Sequence, residues 1–361
     1  MFANVKVPGF VTGLLLSATF GSVAVAQTIS AGSTGPDWAS GARNASGDYS
    51  FFLSVQGNEL DTCQKYSVSD DGLGKTFTWE DIAHPTSRGR QSLRVSKCKN
   101  LIYALRTIPD SHHAYASNCQ TYVSTGNTTQ FDTYYRNMAE ELAIFAPDFL
   151  IIRVGWELND DFPWSIARCD TTEKANGYKN THRKIVNMLR DAFAMRGKSF
   201  MVSWNFVRDS AKLKRPLSDL YPGDGYVDTI GVDYYDKKYI NWGINNSSDA
   251  NFREMASRGT TSQPFGLHTW YDFAMSMKKP LSVDEWGIWN SGESFAGGDN
   301  DVYIRNMYNF FASHRADTVL TLTKGRVPAI AFENYFNERV HKLGTSLSPK
   351  ATAAYRALWD D

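Results

Sequence analysis

The sequence has few of the features that are typical of nucleic-acid-binding or membrane-associated proteins. It contains 38 Lys and Arg against 38 Asp and Glu, and no block of five or six like charges occurs in it. This even balance favours neither nucleic acid nor an anionic membrane surface as a partner. There is also no internal repeat and no low-complexity linker. The 361 residues are therefore expected to form one large domain.

Long apolar runs are absent except at the N-terminus, between Phe10 and Val25. Lys6 precedes this run, and Ala24-Val-Ala26 before Gln27 fits the small-residue pattern of a signal-peptide cleavage site. A membrane anchor is the alternative, but Gly, Ser and Thr residues interrupt the run and make it a poor span. We expect residues 1–26 to be a signal peptide cleaved after Ala26. The mature domain, 27–361, would be periplasmic or secreted, without stable membrane insertion.

Cysteine is scarce, and its spacing matches no zinc motif. The four cysteines are Cys63, Cys98, Cys119 and Cys169. Because export permits disulfides and all four lie in segments rich in turn and polar residues, we prefer the pairs Cys63–Cys98 and Cys119–Cys169 among the three pairings. The second pair would brace the catalytic face if both cysteines follow neighbouring strands. Free buried thiols are the alternative.

Strand-like and helix-like segments alternate from residue 101 to the C-terminus. Apolar runs typical of buried parallel strands cover residues 101–105, 148–154, 199–204, 227–233, 281–285 and 327–332. Between them, apolar residues recur at helical spacing, as from Phe131 to Phe145. This alternation predicts an α/β fold, a (β/α)8 TIM barrel in a single catalytic domain. Before residue 100 the candidate strands are residues 49–55 and 75–80.

Two of the apolar runs end on a glutamate flanked by tryptophan. One run leads to Trp156-Glu157 and the other to Glu285-Trp286. In an α/β barrel the C-terminal ends of the strands carry the catalytic groups, so both carboxyls are expected at the same mouth. Glycoside hydrolysis requires one carboxylic acid that donates a proton and one carboxylate that attacks the anomeric carbon. The pair therefore predicts this reaction, which needs no metal and no cofactor.

The aromatic content of 14%, with 10 Trp and 18 Tyr, fits a sugar-binding cleft. Flat rings pack against the C–H faces of pyranoses, and polar side chains bind the hydroxyl groups. Packing in the core is the alternative for Trp164 and Trp204, and an ordinary exposed ring is the alternative for Trp289. The candidate substrate-binding residues are Arg153, Trp156, Asn159, Asp160, Trp164, Trp204, Asp233, Trp286 and Trp289.

The order of the motifs resembles glycoside hydrolase family 26. The resemblance runs from Arg153-x-x-Trp-Glu157-Leu-Asn159, through Tyr221-Pro-Gly-Asp, to Lys279-Pro-Leu-Ser-Val-Asp-Glu285. This family contains mainly β-mannanases, within a clan of retaining barrel enzymes. The resemblance implies that Glu157 is the acid/base after the fourth strand and Glu285 the nucleophile after the seventh. It further implies that Tyr235 hydrogen-bonds the nucleophile and that Asn159 and Trp164 help to form sugar subsites.

Two positions in the expected cleft differ from the usual motif of the family. Trp156 stands where the family usually has His, and Asp160 stands where it usually has Gly. We expect an exported retaining endo-β-glycosidase acting on a β-mannan-like polysaccharide or oligosaccharide. Xylan, β-glucan or a bacterial matrix exopolysaccharide is the alternative substrate. A catalytically silent carbohydrate-binding barrel is a further alternative, and the retention of both glutamates argues against it. The sequence indicates no particular oligomeric state.

The two carboxyls need different environments to hold different protonation states. We expect Trp156 and the cleft walls to keep Glu157 protonated by limiting its hydration. Tyr235, with Arg153 or Arg106, would favour the carboxylate of Glu285. The rival carboxylates are Asp233 and Asp284, and strand alternation would turn Asp284 away from Glu285.

Overall fold

Eight parallel strands close into a barrel in a computed structural model, which describes residues 38–44, 48–57, 59–66, 98–108, 119–162, 164–238 and 246–360. The strands in chain order are β1 (Ser40–Arg43), β2 (Leu60–Tyr66), β3 (Cys98–Leu105), β4 (Phe149–Val154), β5 (Ser199–Val207), β6 (Thr229–Tyr235), β7 (Gly259–Thr260), β8 (Gln263–Pro264), β9 (Leu281–Gly287), β10 (Thr318–Thr321), β11 (Gly325–Pro328) and β12 (Ile330–Phe336). Strands β1 to β6, β9 and β12 form the barrel, which closes where β12 pairs with β1. The predicted (β/α)8 fold is confirmed. Strands β7 with β8 and β10 with β11 form two small antiparallel hairpins.

Helices surround the barrel and cover its outer face. They are α1 (Ser50–Gln56), α2 (Gln120–Asn127), α3 (Asp132–Phe145), α4 (Thr172–Ala194), α5 (Leu217–Leu220), α6 (Asp249–Ala256), α7 (Leu267–Ser276), α8 (Asp301–His314) and α9 (Pro349–Trp359). Side-chain caps fix several helix starts, as where Thr171 accepts a hydrogen bond from the Lys174 N–H, 3.2 Å away. None of the helices in the described ranges is both long and apolar enough to cross a bilayer.

The barrel interior has an apolar lower layer and a polar upper layer. Ile102, Ile151, Met201 and Phe332 form a buried apolar cluster near the N-terminal ends of their strands. Because side chains two residues apart on a strand face the same side, Arg153 lies above Ile151. The residues of the upper layer hydrogen-bond one another across the barrel, and they include Gln64, Arg153, Asn205, Asp233, Asp284 and Asn334. The fold therefore concentrates polar groups at the C-terminal mouth.

The start of the barrel differs from the prediction. The predicted strand at residues 49–55 is wrong, since this segment forms α1. Phe52 and Val55 lie on one face of the helix at a spacing of three residues, and the Phe52 ring packs 5.4 Å from that of Tyr355 in α9. The run of β-forming residues thus follows its tertiary packing rather than its local propensity. The other candidate strand, at residues 75–80, and the signal peptide lie outside the described residues.

The final strand begins later than predicted. Val327 and Pro328 end the second strand of a surface hairpin, and β12 starts at Ile330. Proline has no N–H to donate to a sheet, which suits Pro328 to the end of an edge strand.

Both predicted disulfides are confirmed, with Cα–Cα distances of 5.8 Å for Cys63–Cys98 and 5.3 Å for Cys119–Cys169. Cys63 and Cys98 lie in neighbouring strands rather than in turns. Cys119 and Cys169 lie in the loops that follow β3 and β4, just before α2 and α4. The second disulfide therefore ties together two loops at the C-terminal mouth of the barrel.

We expect the double substitution Cys119→Ser, Cys169→Ser to lower the free energy of unfolding by about 3 kcal/mol. The bridge closes a loop with a sequence separation of 50 residues, and its loss frees that loop in the unfolded chain. Urea unfolding followed by tryptophan fluorescence measures the change. In the control, reductant should lower the stability of the variant less than that of the wild type. An unchanged midpoint in the variant would show that the bridge contributes nothing.

Candidate active site

Glu157 lies in a tight turn after β4, the fourth strand of the barrel. Its backbone is left-handed, with φ of 46°, a conformation that costs a non-glycine residue roughly 1–2 kcal/mol. Asn205 holds this turn, because its Oδ1 accepts the Glu157 N–H at 2.7 Å and its backbone carbonyl accepts the Leu158 N–H at 3.1 Å. Gly155 begins the turn, and a Cβ there would lie only 2.7 Å from the Leu158 side chain. The neighbouring strand β5 thus fixes the position of Glu157.

Glu285 lies near the end of β9, the seventh strand of the barrel. Val232 pairs with Val283 and Asp233 pairs with Glu285, so Asp284 is an extra residue in a β-bulge. The bulge brings the side chains of Asp284 and Glu285 to the same side, where both reach Arg153. The prediction that Asp284 faces away from Glu285 is therefore wrong, because the bulge breaks the alternation of the strand.

Three donors from three different strands bind the buried Glu285 carboxylate. Its Oε1 accepts hydrogen bonds from Arg153 Nη1 and from Gln64 Nε2, the latter at 2.8 Å. Its Oε2 accepts the Tyr235 hydroxyl at 2.6 Å, which is the contact that the family resemblance implies. A carboxylate that accepts several hydrogen bonds and faces a guanidinium is favoured in its ionised form. The Arg106 guanidinium lies 5.1 Å from the centroid of the Trp164 ring.

Arg153 is fully buried and lies among three carboxylates. Its Nη2 donates to Asp233 and to Asn205, both at 2.6 Å, and its Nε lies 3.4 Å from Asp284. Burial raises the pKa of Asp233 and that of Asp284 above the usual range, and the positive charge of Arg153 opposes this shift. These contacts correct the expectation that Arg153 and Asp233 bind sugar directly. Both lie beneath the Glu285 carboxylate and support it.

The environment of Glu157 favours its protonated form. Burial, followed by the negative charge of Glu285, raises the pKa of Glu157 to about 8. The positive charges of Arg153 and Lys237 act in the opposite direction. At neutral pH Glu157 is therefore mostly a carboxylic acid.

Asn205 and Arg153 link the two glutamates. Asn205 Oδ1 accepts hydrogen bonds from both the Glu157 N–H and Arg153 Nη2, and Arg153 Nη1 binds Glu285. Two residues that are 128 positions apart in the chain thus share one hydrogen-bonded cluster. The arrangement brings together a protonated carboxyl and a charged one, which is the pair that glycoside hydrolysis requires.

Three of the predicted sugar-binding tryptophans lie in the core. Trp204 is fully buried and donates to the Tyr178 hydroxyl at 2.7 Å. Trp286, also fully buried, donates to the Glu333 carboxylate at 2.5 Å. Trp164 is 2% exposed and donates to a backbone carbonyl at 2.7 Å. These placements correct the expectation that the three rings line sugar subsites.

Asn159 has a structural position rather than an open one. Its Nδ2 donates to the carbonyls of Val207 and Asp209, at 2.9 and 2.6 Å, and its Oδ1 accepts the Val207 N–H at 2.8 Å. Because its amide is fully buried and bonded on both sides, Asn159 joins the loop after β4 to the end of β5. This placement corrects the expectation of a sugar contact.

Three predicted residues remain near the mouth. Trp156 is 6% exposed, and its ring lies 4.0 Å from that of Trp164. Asp160 is half-buried and pairs with Lys212. Trp289 is half-buried and lies edge-on to the Tyr235 ring at 5.8 Å.

Gln64, Asn205 and Lys237 were not predicted from the sequence. Gln64 on β2 meets Glu285 on β9 only when the barrel closes, and Asn205 on β5 meets Glu157 only when β5 pairs with β4. Lys237 follows Tyr235 by two residues, and its Nζ lies 3.8 Å from the centroid of the Trp289 ring. The position of Lys237 just after the C-terminal end of β6, where barrel enzymes carry functional groups, could have indicated a place at the mouth.

The model of glycosyl hydrolase family 26 matches residues 149–262, the segment that carries Glu157 and Tyr235. Among curated proteins, endoglucanase H of Acetivibrio thermocellus is 27% identical over 186 residues, which is 49% of this chain and 18% of that protein. The chain thus spans about a fifth of the length of this relative.

Solved structures share the barrel. The Bacillus subtilis mannanase BCman has a TM-score of 0.53 at 15% identity, over 89% of this chain and 85% of that one. A modular endo-β-1,4-mannanase of Cellulomonas fimi has a TM-score of 0.52 at 17% identity, over 91% and 68%. At such identities the likeness shows the fold. The chain is a (β/α)8 barrel, and its residues 149–262, which carry Glu157 and Tyr235, match glycoside hydrolase family 26 as the resemblance predicts.

Proposed function

We propose that this chain is a retaining endo-β-glycosidase that hydrolyses a β-mannan-like polysaccharide by double displacement. Glu157 is the acid/base and Glu285 the nucleophile in this proposal. The observation that carries it is the link through Asn205 and Arg153, which joins the two glutamates in one cluster. Their environments are opposite, because burial protonates one side chain while three donors favour the charge of the other.

In the first step the Glu285 carboxylate attacks the anomeric carbon, and the glycosidic bond breaks. Glu157 donates its proton to the departing oxygen. Arg153, Gln64 and Tyr235 orient the attacking carboxylate, which enters the step already held by all three. The product is a glycosyl ester of Glu285.

In the second step Glu157 acts as a base. Once Glu285 is esterified it no longer carries a negative charge, and that charge is one cause of the raised pKa of Glu157. The pKa of Glu157 therefore falls in the intermediate, which favours removal of a proton from the attacking water. Water then cleaves the ester, and the anomeric configuration is retained.

We propose β-mannan ahead of the other polymers because the solved structures that share the barrel include mannanases. Xylan, β-glucan or a matrix exopolysaccharide remains the alternative, since Trp156 and Asp160 change the lining after β4. A silent carbohydrate-binding barrel is a weaker candidate. Binding alone would not require the hydrogen-bonded Glu285 or the raised pKa of Glu157.

We also propose that the protein is exported. Two disulfides are typical of an oxidising compartment such as the periplasm or the extracellular space. Residues 1–26 would be removed as a signal peptide, and residues 27–361 would form the catalytic domain.

We expect Glu285→Gln and Glu157→Ala each to lower kcat on polysaccharide by about 100-fold or more. Glu157→Ala should retain activity on aryl glycosides whose leaving groups depart without protonation, whereas Glu285→Gln should not. Reducing-sugar assays on mannan, xylan, glucan and matrix polysaccharides measure the first effect. The control is Glu254→Gln, which should behave as wild type. Glu254 is an exposed residue of α6 that pairs with Arg258. Full activity in either catalytic variant would remove the assignment.

The pH profile should have a basic limb set by Glu157. Because this carboxyl must be protonated to donate, kcat/KM should fall as pH rises through about 8. In Glu157→Ala the same limb should disappear for activated aryl glycosides. Initial rates between pH 4 and 10 test this, at conditions where circular dichroism shows the fold intact. A limb unchanged by the substitution would assign it to another group.

The newly formed reducing end should initially have the β configuration. Two displacements at one carbon restore the original configuration, whereas a single displacement inverts it. Proton NMR in the first minutes of reaction, before mutarotation, distinguishes the two anomers. Initial release of the α-anomer would contradict double displacement.

A further inference from the structure

Lys237 lies at the barrel mouth, two residues after Tyr235. Its side chain is half-buried, and its Nζ lies over the Trp289 ring, 3.8 Å from the centroid. Within the described part of the chain, the ammonium forms no hydrogen bond and no ion pair. An ammonium has three donors, and withdrawing them from water without acceptors is costly. The contact with the Trp289 ring offsets only part of that cost.

The fold holds this lysine in place. The Lys237 N–H donates to the Tyr235 carbonyl at 2.8 Å, and the Lys237 carbonyl accepts Arg208 Nη2 at 2.8 Å. The preceding residue, Asp236, is fully buried, and its carboxylate accepts two asparagine amides at 2.9 and 2.8 Å. Lys237 is therefore presented by a backbone fixed on both sides, which lowers the entropic cost of binding a ligand.

The charged groups around Lys237 do not balance its positive charge. Glu157 and Asp160 attract Lys237, whereas Arg208 and Lys212 repel it. The Asp160 carboxylate is paired with Lys212, and Glu157 is mostly protonated at neutral pH. Among the groups that act on Lys237, positive charge therefore exceeds negative charge at neutral pH.

We propose that Lys237, seated over Trp289, binds a carboxylate carried by the sugar chain, so that the substrate is an acidic β-linked polysaccharide. The inference rests on the proposed double-displacement mechanism, and it selects a carboxylate-bearing polymer, among the alternatives to neutral β-mannan, as the substrate. An anion restores the ammonium's hydrogen bonds and also neutralises its charge, whereas a neutral hydroxyl does only the first. Charge-assisted hydrogen bonds are roughly twice as strong as neutral ones, and more so where water is excluded.

The test compares three forms of one polymer. The first is neutral β-mannan or β-glucan; the second is the same polymer with part of its primary hydroxyls oxidised to carboxylates; the third is the methyl ester of the second. The ratio of kcat/KM on the carboxylate form to that on the ester isolates the effect of charge. Native gels cast with each polymer measure retention of Glu285→Gln, and of Glu285→Gln with Lys237→Ala, without turnover.

We expect the wild-type ratio to be about 10 or more, which corresponds to one charge-assisted hydrogen bond. Lys237→Ala should bring the ratio to about 1, and Lys237→Arg should retain most of the preference. The matched control is Lys238→Ala, which removes the same charge from the adjacent position and should keep the wild-type ratio.

A wild type that does not distinguish carboxylate from ester overturns the proposal. So does a preference that persists in Lys237→Ala, or a loss that is equal on all three polymers, since Lys237 would then bind hydroxyls or act on Glu157. Cleavage with no charge preference would leave the proposed function standing. Retention by the carboxylate form that depends on Lys237, without cleavage of any polymer by wild type, would support this site and remove the proposed function.

Discussion

The site depends on one buried cation, Arg153, at the centre of the barrel's polar layer. It contacts Asp233, Asp284 and Glu285, and its side chain is fully buried, so water does not solvate its charge. Removing one partner of such a cluster leaves the others buried and unpaired, at a cost of about 3–5 kcal/mol. The cluster is therefore retained for the position and charge of Glu285. Stability alone would be served as well by an apolar layer like the one beneath it.

The same cluster separates the protonation states of the two glutamates. The Glu285 carboxylate accepts hydrogen bonds from Arg153 and two further donors, whereas Glu157 joins the cluster through its backbone N–H, which donates to Asn205 Oδ1. The side chain of Glu157 experiences burial and the charge of Glu285, and both raise its pKa. One network of contacts thus favours a protonated carboxyl at Glu157 and a charged carboxylate at Glu285, although the two side chains are chemically identical.

Local sequence determined much of the barrel. Uninterrupted apolar runs marked β3 to β6 and β9, because parallel strands are buried on both faces. Helical spacing marked α3, which ends before Pro147 as predicted. The first two strands were not predicted, because Ser40–Arg43 is short and Leu60–Tyr66 is rich in polar residues. The burial of their side chains results from closure of the barrel, where β1 pairs with β12. Segment 49–55 was misread because packing on α9 outweighs its β propensity.

At the site, the sequence by itself singled out the two glutamates, which follow apolar runs, and the cysteine pairs, which have few partners to choose from. Tyr235 came from the family resemblance, and its hydroxyl does donate to Glu285. Tertiary structure alone decided which polar residues support them. Gln64 becomes a neighbour of Glu285 through closure of the sheet, and Asn205 becomes a neighbour of Glu157 through the pairing of β4 with β5. Asp284 faces Arg153 because of a bulge. Burial likewise placed Trp204 and Trp286 in the core. Such contacts depend on register and distance in space, which no local pattern of residues encodes.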